Sequence, residues 1–247
     1  MSEETGVAAD IALLWGLRES PRRGPKPGLT LADITHAAIA VADAEGLDAV
    51  SMARVAAQLG NSTMALYRHV KSKRELLILM ADAAMEPPPD FPVDGDWRAG
   101  MTLWARGVVA AVQAHPWFVR ITVNAPPMGP YSLMWFDRAL GTLSGVDLPV
   151  AEKMGLVMGL VTYVQGAYRL RVELAAGYAD NPEAFGRDYA AGLHRVVDVQ
   201  QMPWLGRFVQ DGVFDGVDED PAAQNEFEFG LSVYLDGVAA RIEQLTR

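Results

Sequence analysis

The stretch ALYRHVKSKRELL, residues 65–77, concentrates positive charge in a chain that is otherwise acidic. Five basic or titratable side chains fall within seven consecutive positions: Arg68, His69, Lys71, Lys73 and Arg74. The whole 247-residue chain has only 21 lysines and arginines and a formal net charge of −10. Four cationic side chains so close together indicate a local function for positive charge.

The rest of the chain does not share this concentration of positive charge. Residues 18–86 carry a net charge of +1, whereas residues 87–247 carry a net charge of −8. An acidic protein with one basic end is a poor nonspecific binder of polyanions, because most of its surface repels them. The same distribution permits a small surface that binds nucleic acid.

The composition, 50% hydrophobic and 21% charged, is that of a globular protein long enough for one or two domains. The chain has no cysteine, which excludes disulfides, thiolate nucleophiles and the commonest structural zinc sites. Neither a signal peptide nor a membrane-spanning apolar segment is evident. We therefore expect a cytoplasmic protein that does not interact with membranes.

Helical periodicity dominates, and the sequence predicts an all-α fold. Four helices follow the Pro- and Gly-rich run ESPRRGPKPG. Their expected N-caps are Thr30, Ser51, Asn61 or Ser62, and Ser72. Gly46 and Gly60 are expected to end the first and second helices. The third helix is expected to cover TMALYRHV, and the fourth is expected to cover KRELLILMADAAM.

The run PPPDFPVDGD, residues 87–96, indicates a domain boundary because it cannot continue a helix. The predicted organisation is an N-terminal extension with a basic arm (1–28), a four-helix N-terminal domain (29–86) and a C-terminal helical domain (97–247). Further helices are expected at about 97–114, 116–123, 130–144, 149–175, 182–199 and 221–245.

Two short helices joined by a turn at Gly60 are typical of a helix-turn-helix, whose second helix enters the DNA major groove. With Leu66 and Val70 facing the core, the outward side chains are Thr63, Met64, Tyr67, Arg68 and His69. Arg68 is suited to bidentate pairing with a guanine, and Thr63 is suited to contact with a base edge. Tyr67 is suited to a hydrogen bond with a phosphate. Lys71 and Lys73, at the exit of this helix, are better placed for phosphates than for bases.

Basic residues before the first of these helices form a second candidate contact. Arg22, Arg23 and Lys26 are either a minor-groove arm or part of an unstructured tail.

These segments together resemble a known family. ALYRHVKSKRELL, preceded by DAVSMARVAAQLG and LADITHAAIAVADAEGL, is similar to the DNA-binding domain of the tetracycline-repressor family over residues 30–80. A weaker resemblance to that family's C-terminal domain continues through DWRAGMTLWARGVVAAVQAHPWFV and NAPPMGPYSLMWFDRALGTLSGVDLP.

The resemblance implies an all-helical homodimeric regulator, usually a repressor, that leaves a pseudo-palindromic operator when a small molecule binds. It implies DNA contacts at Thr63, Tyr67, His69 and Lys73, with Ser51, Met52 and Ala53 near the DNA backbone. It does not imply tetracycline recognition, because the C-terminal part has only His115 and His194 and so lacks the histidine-rich site of the tetracycline-binding members.

The larger domain is rich in methionine and aromatic residues, most of which are expected in a packed core. Some can instead line an apolar effector pocket with a few polar groups. The candidates are Trp104, Phe118, Asn124, Met128, Trp135, Met158, Tyr163, Gln165, Tyr168 and Arg169. We expect no metal site and no cofactor, and the acidic run 218–220 is interpreted as a solvated loop.

Two long segments, residues 152–177 and 225–245, are apolar on one side and rich in small residues. In a monomer they would be core helices, whereas in the family that the chain resembles such helices form a four-helix dimer interface. We favour the interface.

The leading hypothesis is a ligand-responsive DNA-binding repressor. One alternative is a constitutive DNA-binding protein without a ligand, and another is an enzyme with an appended DNA-binding domain. The enzyme is disfavoured because the sequence has no G-x-S-x-G, H-E-x-x-H or P-loop motif and no cysteine nucleophile.

Overall fold

The computed structural model describes residues 6–18, 28–90, 95–121, 126–180, 188–214 and 222–246. Within these residues the fold is all-helical, as the sequence predicts. The helices are α1 (Val7–Leu14), α2 (Leu31–Glu45), α3 (Met52–Gln58), α4 (Thr63–Tyr67), α5 (Lys73–Ala83), α6 (Trp97–Gln113), α7 (Pro130–Gly141), α8 (Val150–Asp180), α9 (Tyr189–Val196), α10 (Pro203–Gln210) and α11 (Ala222–Thr246). Short 3-10 segments cover Leu47–Ala49 and Pro116–Arg120.

Hydroxyl side chains begin helices α2 to α5, at the positions that the sequence predicts. The oxygens of Thr30, Ser51, Ser62 and Ser72 each accept a hydrogen bond from the backbone N–H three residues later, at 3.1–3.3 Å. At α2 the Asp33 carboxylate accepts a hydrogen bond from the Thr30 N–H, which completes a capping box. Each cap satisfies a backbone donor that the helix itself leaves unpaired.

The apolar faces of these helices meet in one core. Ile34 and Val41 of α2, Val55 of α3, Leu66 of α4 and Val70 in the turn after it are fully or almost fully buried. This confirms the inward position that the helical spacing predicts for Leu66 and Val70. Trp117 and Ile121, beyond the predicted domain boundary, are buried in the same cluster.

Helix α4 is shorter than predicted. The expected helix TMALYRHV ends at Tyr67, with Arg68 as its C-cap, so His69 and Val70 lie in a turn. The N–H groups of His69 and Val70 both bond the Leu66 carbonyl at 2.9 Å. The next N–H, that of Lys71, bonds the Glu75 carboxylate at 2.7 Å instead of a helix carbonyl, which directs the chain into α5.

Several other predicted bounds also change. The region 116–123 is a 3-10 segment over Pro116–Arg120, and α8 extends five residues beyond the predicted end at 175. Of the helix expected over 182–199, the structure describes α9, which ends at Val196 and not at 199. Residues 181–187 lie outside the described residues. The sequence predicts neither α1 nor α10.

The chain divides into two compact units. The first comprises residues 1–164 with 241–247, and the second comprises residues 165–240. In the first unit, the helix-turn-helix core and the helices after the predicted boundary are directly bonded to one another through α5 and α7.

Helix α5 is joined to the beginning of α7 by a buried carboxylate. Asp82 of α5 accepts the N–H groups of Tyr131 at 3.2 Å and Ser132 at 2.9 Å, and so caps α7 from another helix. The approach is close enough that a Cβ on Gly129 would collide with the carboxylate. Only glycine fits there, although its φ of −83° is open to any residue.

An indole of α7 holds the end of α5. Trp135 Nε1 donates to the carbonyls of Met85 at 3.1 Å and Glu86 at 3.0 Å. Glu86 has a φ of 48°, an unusual value for a residue with a side chain, and it turns the chain before Pro87. Trp135 thus satisfies the carbonyls of a turn that leaves the helix.

We predict that Gly129→Ala destabilises the protein by about 1–3 kcal/mol, because the new methyl displaces the Asp82 carboxylate from the α7 N-terminus. Gly155→Ala is the matched control, since a Cβ at that position in α8 meets nothing within 4 Å. Urea unfolding checks the difference. Equal unfolding free energies for the two variants would contradict the assignment of Asp82 as the cap of α7.

Candidate nucleic-acid interface

Helix α4 presents one face to solvent and the other to the core. Leu66 is fully buried, whereas Met64 is 68% exposed and Tyr67 is 44% exposed. Thr63 is half-buried at the first position of the helix, and Arg68 is exposed at its end. A five-residue helix with a buried anchor and a cap can present these four side chains together to a partner.

The remaining predicted contacts lie at the two ends of this surface. Ser51 is exposed at the N-terminus of α3, but its hydroxyl accepts the Arg54 N–H, and the Met52 side chain is buried. The structure therefore leaves only the Met52 backbone available to a partner at that position. His69 is half-buried in the turn after α4, and Lys71 and Lys73 are exposed.

The basic run does not act as one patch. Arg68 and Lys73 make no ion pair with the part of the chain that the structure describes. Arg74, in contrast, bonds the carboxylate of Asp10 on α1 at 2.9 and 2.5 Å. Two of the four cations, Arg68 and Lys73, are thus clearly open to an external anion, and Arg74 has an internal partner.

Glu75 organises the turn between α4 and α5. Its carboxylate, largely buried, accepts the Lys71 N–H and both guanidinium nitrogens of Arg18. Burial raises the pKa of Glu75, but the bonds from Arg18 and Lys71 outweigh it and leave that pKa below its ordinary value. The group is therefore held ionised at neutral pH.

Some predicted site residues lie outside the described residues. They are Arg22, Arg23 and Lys26 of the predicted arm and Asn124 of the predicted effector pocket.

The other predicted pocket residues fall in both units. Trp104, Phe118, Met128, Trp135, Met158 and Tyr163 belong to the first, and Gln165, Tyr168 and Arg169 to the second. Trp104 and Trp135 are buried in edge-to-face contact at 6.3 Å, and Trp104 Nε1 donates to the Trp135 carbonyl. Phe118 packs against the helix-turn-helix core, whereas Met158 is 40% exposed. Burial raises the pKa of Tyr168.

Two surface grooves occur among the described residues of the first unit, and none of the predicted pocket residues lines either of them. The larger, of about 520 Å³, lies between α2, the end of α5 and the beginning of α7. Within the described residues no cluster of three or more His, Asp or Glu side chains forms a metal site.

Sequence reasoning missed the polar contacts that join the helix-turn-helix core to the segments beyond the boundary. Asp43 of α2 accepts the Trp117 indole N–H at 2.6 Å, and the same oxygen lies 2.8 Å from His115 Nδ1. Asp48 accepts two bonds from Arg120. Acidic side chains inside otherwise apolar helices, such as Asp82, are the signal that could have indicated these contacts.

Comparisons with known proteins agree with this geometry. A family profile described as "Tetracyclin repressor-like, C-terminal domain" matches residues 89–242, and one described as "Bacterial regulatory proteins, tetR family" matches residues 34–80. The chain belongs to the tetracycline-repressor (TetR) family. Members are DNA-binding regulators, so this chain is a DNA-binding transcriptional repressor and not an enzyme.

Individual TetR relatives match along most of the chain. It is 36% identical to the HTH-type transcriptional repressor DrrR1 of Streptomyces coeruleorubidus over 98% of this chain and 91% of that one. It is 28% identical to the class A tetracycline repressor of transposon 1721 from Escherichia coli, over 84% of this chain and 89% of that repressor. The crystal structure of ActR from Streptomyces coelicolor in complex with (S)-DNPA superposes on this chain with a TM-score of 0.71 at 25% sequence identity. The match covers 87% of this chain and 98% of the ActR chain.

The TetR assignment confirms the fold class and the family that the sequence resembles. Among the residues that the structure describes, no helix has the length and apolar character needed to cross a membrane.

We predict that Ser62→Ala destabilises the protein by about 1 kcal/mol, because α4 loses the hydroxyl that caps it. The same variant should bind DNA more weakly, since a five-residue helix has few other bonds to hold its shape. Ser144→Ala, at an exposed serine outside any helix N-terminus, is the control. An unchanged unfolding free energy and DNA affinity for Ser62→Ala would show that the cap is dispensable.

Proposed function

We propose that the protein represses transcription as a homodimer on a pseudo-palindromic operator and that a small, largely apolar molecule releases it. The observation that carries the proposal is the exposed face of α4, built on a buried anchor and followed by open cations, in a chain of the TetR family.

The DNA contacts follow from position and chemistry. Arg68 pairs with a guanine edge, Thr63 and Met64 approach bases, and Tyr67 bonds a phosphate. Lys71 and Lys73 neutralise phosphates, and His69 and the N-terminus of α3 at Ser51 and Met52 complete the contact. Arg22, Arg23 and Lys26 lie outside the described residues, so their contact with an adjacent minor groove stays one of the two alternatives that the sequence predicts.

Dimerisation is supported by apolar side chains that a single chain leaves exposed. In the second unit, α8 exposes Leu170 and Leu174 and α11 exposes Phe229 and Val233, each pair four residues apart on its helix. Phe229 is 72% exposed, which is costly for a monomer. On a pseudo-palindromic operator, the α4 helices of the two chains occupy half-sites about 34 Å apart, one turn of B-DNA.

The effector site is proposed among the predicted residues of the larger domain. ActR was crystallised with (S)-DNPA, which supports a small-molecule effector for this chain as well. A ligand that favours a spacing of the α4 helices unsuited to the operator lowers DNA affinity through its preference for that state. The bonds of Asp82 and Trp135 between α5 and α7 provide a rigid connection from that domain to the DNA-binding helices.

The proposal is tested by incubating the purified protein with sheared genomic DNA at about 0.15 M salt and sequencing what it retains, because nonspecific binding weakens steeply as salt rises. Enrichment of a pseudo-palindrome would support a dimeric regulator. Thermal-shift and release assays with a panel of apolar aromatic compounds then test the effector. An even distribution of retained fragments would contradict the proposed operator.

We predict different consequences for the two kinds of DNA contact. Lys73→Ala should weaken binding to all DNA sequences alike and reduce the slope of log affinity against log salt by about 1. Arg68→Ala should relax preference at one base position and cost about 1–3 kcal/mol on the operator. Titrations over a salt series with operator and single-base variants separate the two, and equal effects from both changes would overturn the roles.

A further inference from the structure

Helix α1 is packed against the beginning of α5, next to the proposed DNA surface. Leu13 is buried in the helix-turn-helix core, and Asp10 is almost fully buried. Because a buried carboxylate needs a partner, the bonds of Asp10 to Arg74 fix α1 to the first turn of α5. The family profile begins at residue 34, so α1 lies outside the part of the chain that the profile matches.

A second ion pair also joins the N-terminal segment to the beginning of α5. Arg18, just after α1, bonds the two carboxylate oxygens of Glu75 at 2.9 and 2.8 Å. Glu75 Oε2 also accepts the Lys71 N–H at 2.7 Å, so one oxygen connects the N-terminal segment to the turn that follows α4. A guanidinium in this two-pronged geometry fixes both the position and the orientation of the carboxylate.

The position of Glu75 has an electrostatic consequence. Its carboxylate lies within one turn of Lys71 and Lys73, which are proposed to neutralise DNA phosphates. Without a cation beside it, this carboxylate would repel the phosphates and cancel part of the attraction of the lysines. Arg18 supplies that cation at 2.8 Å, with 29% of its side chain exposed.

We propose that Arg18 is a positioning residue for DNA binding, which holds the turn after α4 through Glu75 and neutralises the Glu75 charge beneath the phosphate-binding lysines. The proposal rests on the proposed DNA surface. Helix α1 is then part of the DNA-binding unit, and Asp10 and Arg74 keep Arg18 within reach of Glu75.

The test compares Arg18→Ala, Arg18→Lys and the double variant Arg18→Ala/Glu75→Gln on the operator recovered by genomic selection. Arg18→Ala should lower affinity about tenfold at about 0.1 M salt, and by less at higher salt as the repulsion is screened. The double variant should return to within about twofold of wild type, because the introduced amide keeps an oxygen for the Lys71 N–H but carries no charge. Arg18→Lys should recover at least half of the lost binding free energy.

Arg138→Ala is the matched control, since Arg138 of α7 forms an ion pair with the fully exposed Asp90 and should leave affinity within about twofold of wild type. Thermal melting shows that each variant is folded, and Arg18→Lys carries the test if Arg18→Ala does not fold. Wild-type affinity for Arg18→Ala would overturn the proposal. So would a double variant as weak as Arg18→Ala, which would show that neutralising the Glu75 charge is not the role of Arg18.

Lys73→Ala, measured on the same DNA, separates this inference from the function on which it rests. If Lys73→Ala binds as tightly as wild type, the proposed DNA surface is wrong. If Lys73→Ala is weakened and Arg18→Ala is not, the surface stands and only the role of Arg18 is wrong.

Discussion

The first unit depends on two largely buried carboxylates near the opposite ends of α5. Glu75 receives Arg18 and the Lys71 N–H at the beginning of the helix, and Asp82 receives the N-terminus of α7 near its end. A buried carboxylate without partners is strongly unfavourable, so each of these groups requires its neighbours to lie where they do. The helix is thereby fixed to the turn after α4 on one side and to α7 on the other.

This arrangement explains how an acidic protein can bind DNA specifically. With most of the surface repelling phosphates, attraction is confined to the few cations around α4, and the internal acids near them are paired with arginines. In the proposed complex, sequence is read by a short exposed helix whose place is set by Leu66, the Ser62 cap and the Glu75 turn. So few contacts would be sensitive to small changes in their spacing, which is what the proposed release by an effector requires.

Much of the DNA-binding part could be predicted from sequence because its signals are local. The caps Thr30, Ser51, Ser62 and Ser72 act within three residues, and the buried faces follow the helical repeat. Contacts between distant residues could not be predicted in this way: Asp10 meets Arg74 from 64 residues away, and Arg18 meets Glu75 from 57. For the same reason the helical repeat does not show that the Lys71 N–H bonds the Glu75 side chain instead of a helix carbonyl, so no helix continues beyond Val70. The effector pocket stays a prediction, because methionine and aromatic residues serve a core and a pocket equally well.

The central claim, that the exposed face of α4 contacts DNA, is tested most directly by photo-cross-linking. A photoreactive amino acid is placed at Met64 or, as a control, at Met134, an exposed position on α7. Each protein is irradiated with the DNA fragments that the wild type selects from the genome. The account predicts cross-links from position 64 and none from position 134. Bound complexes that cross-link equally from both positions, or only from position 134, would contradict it.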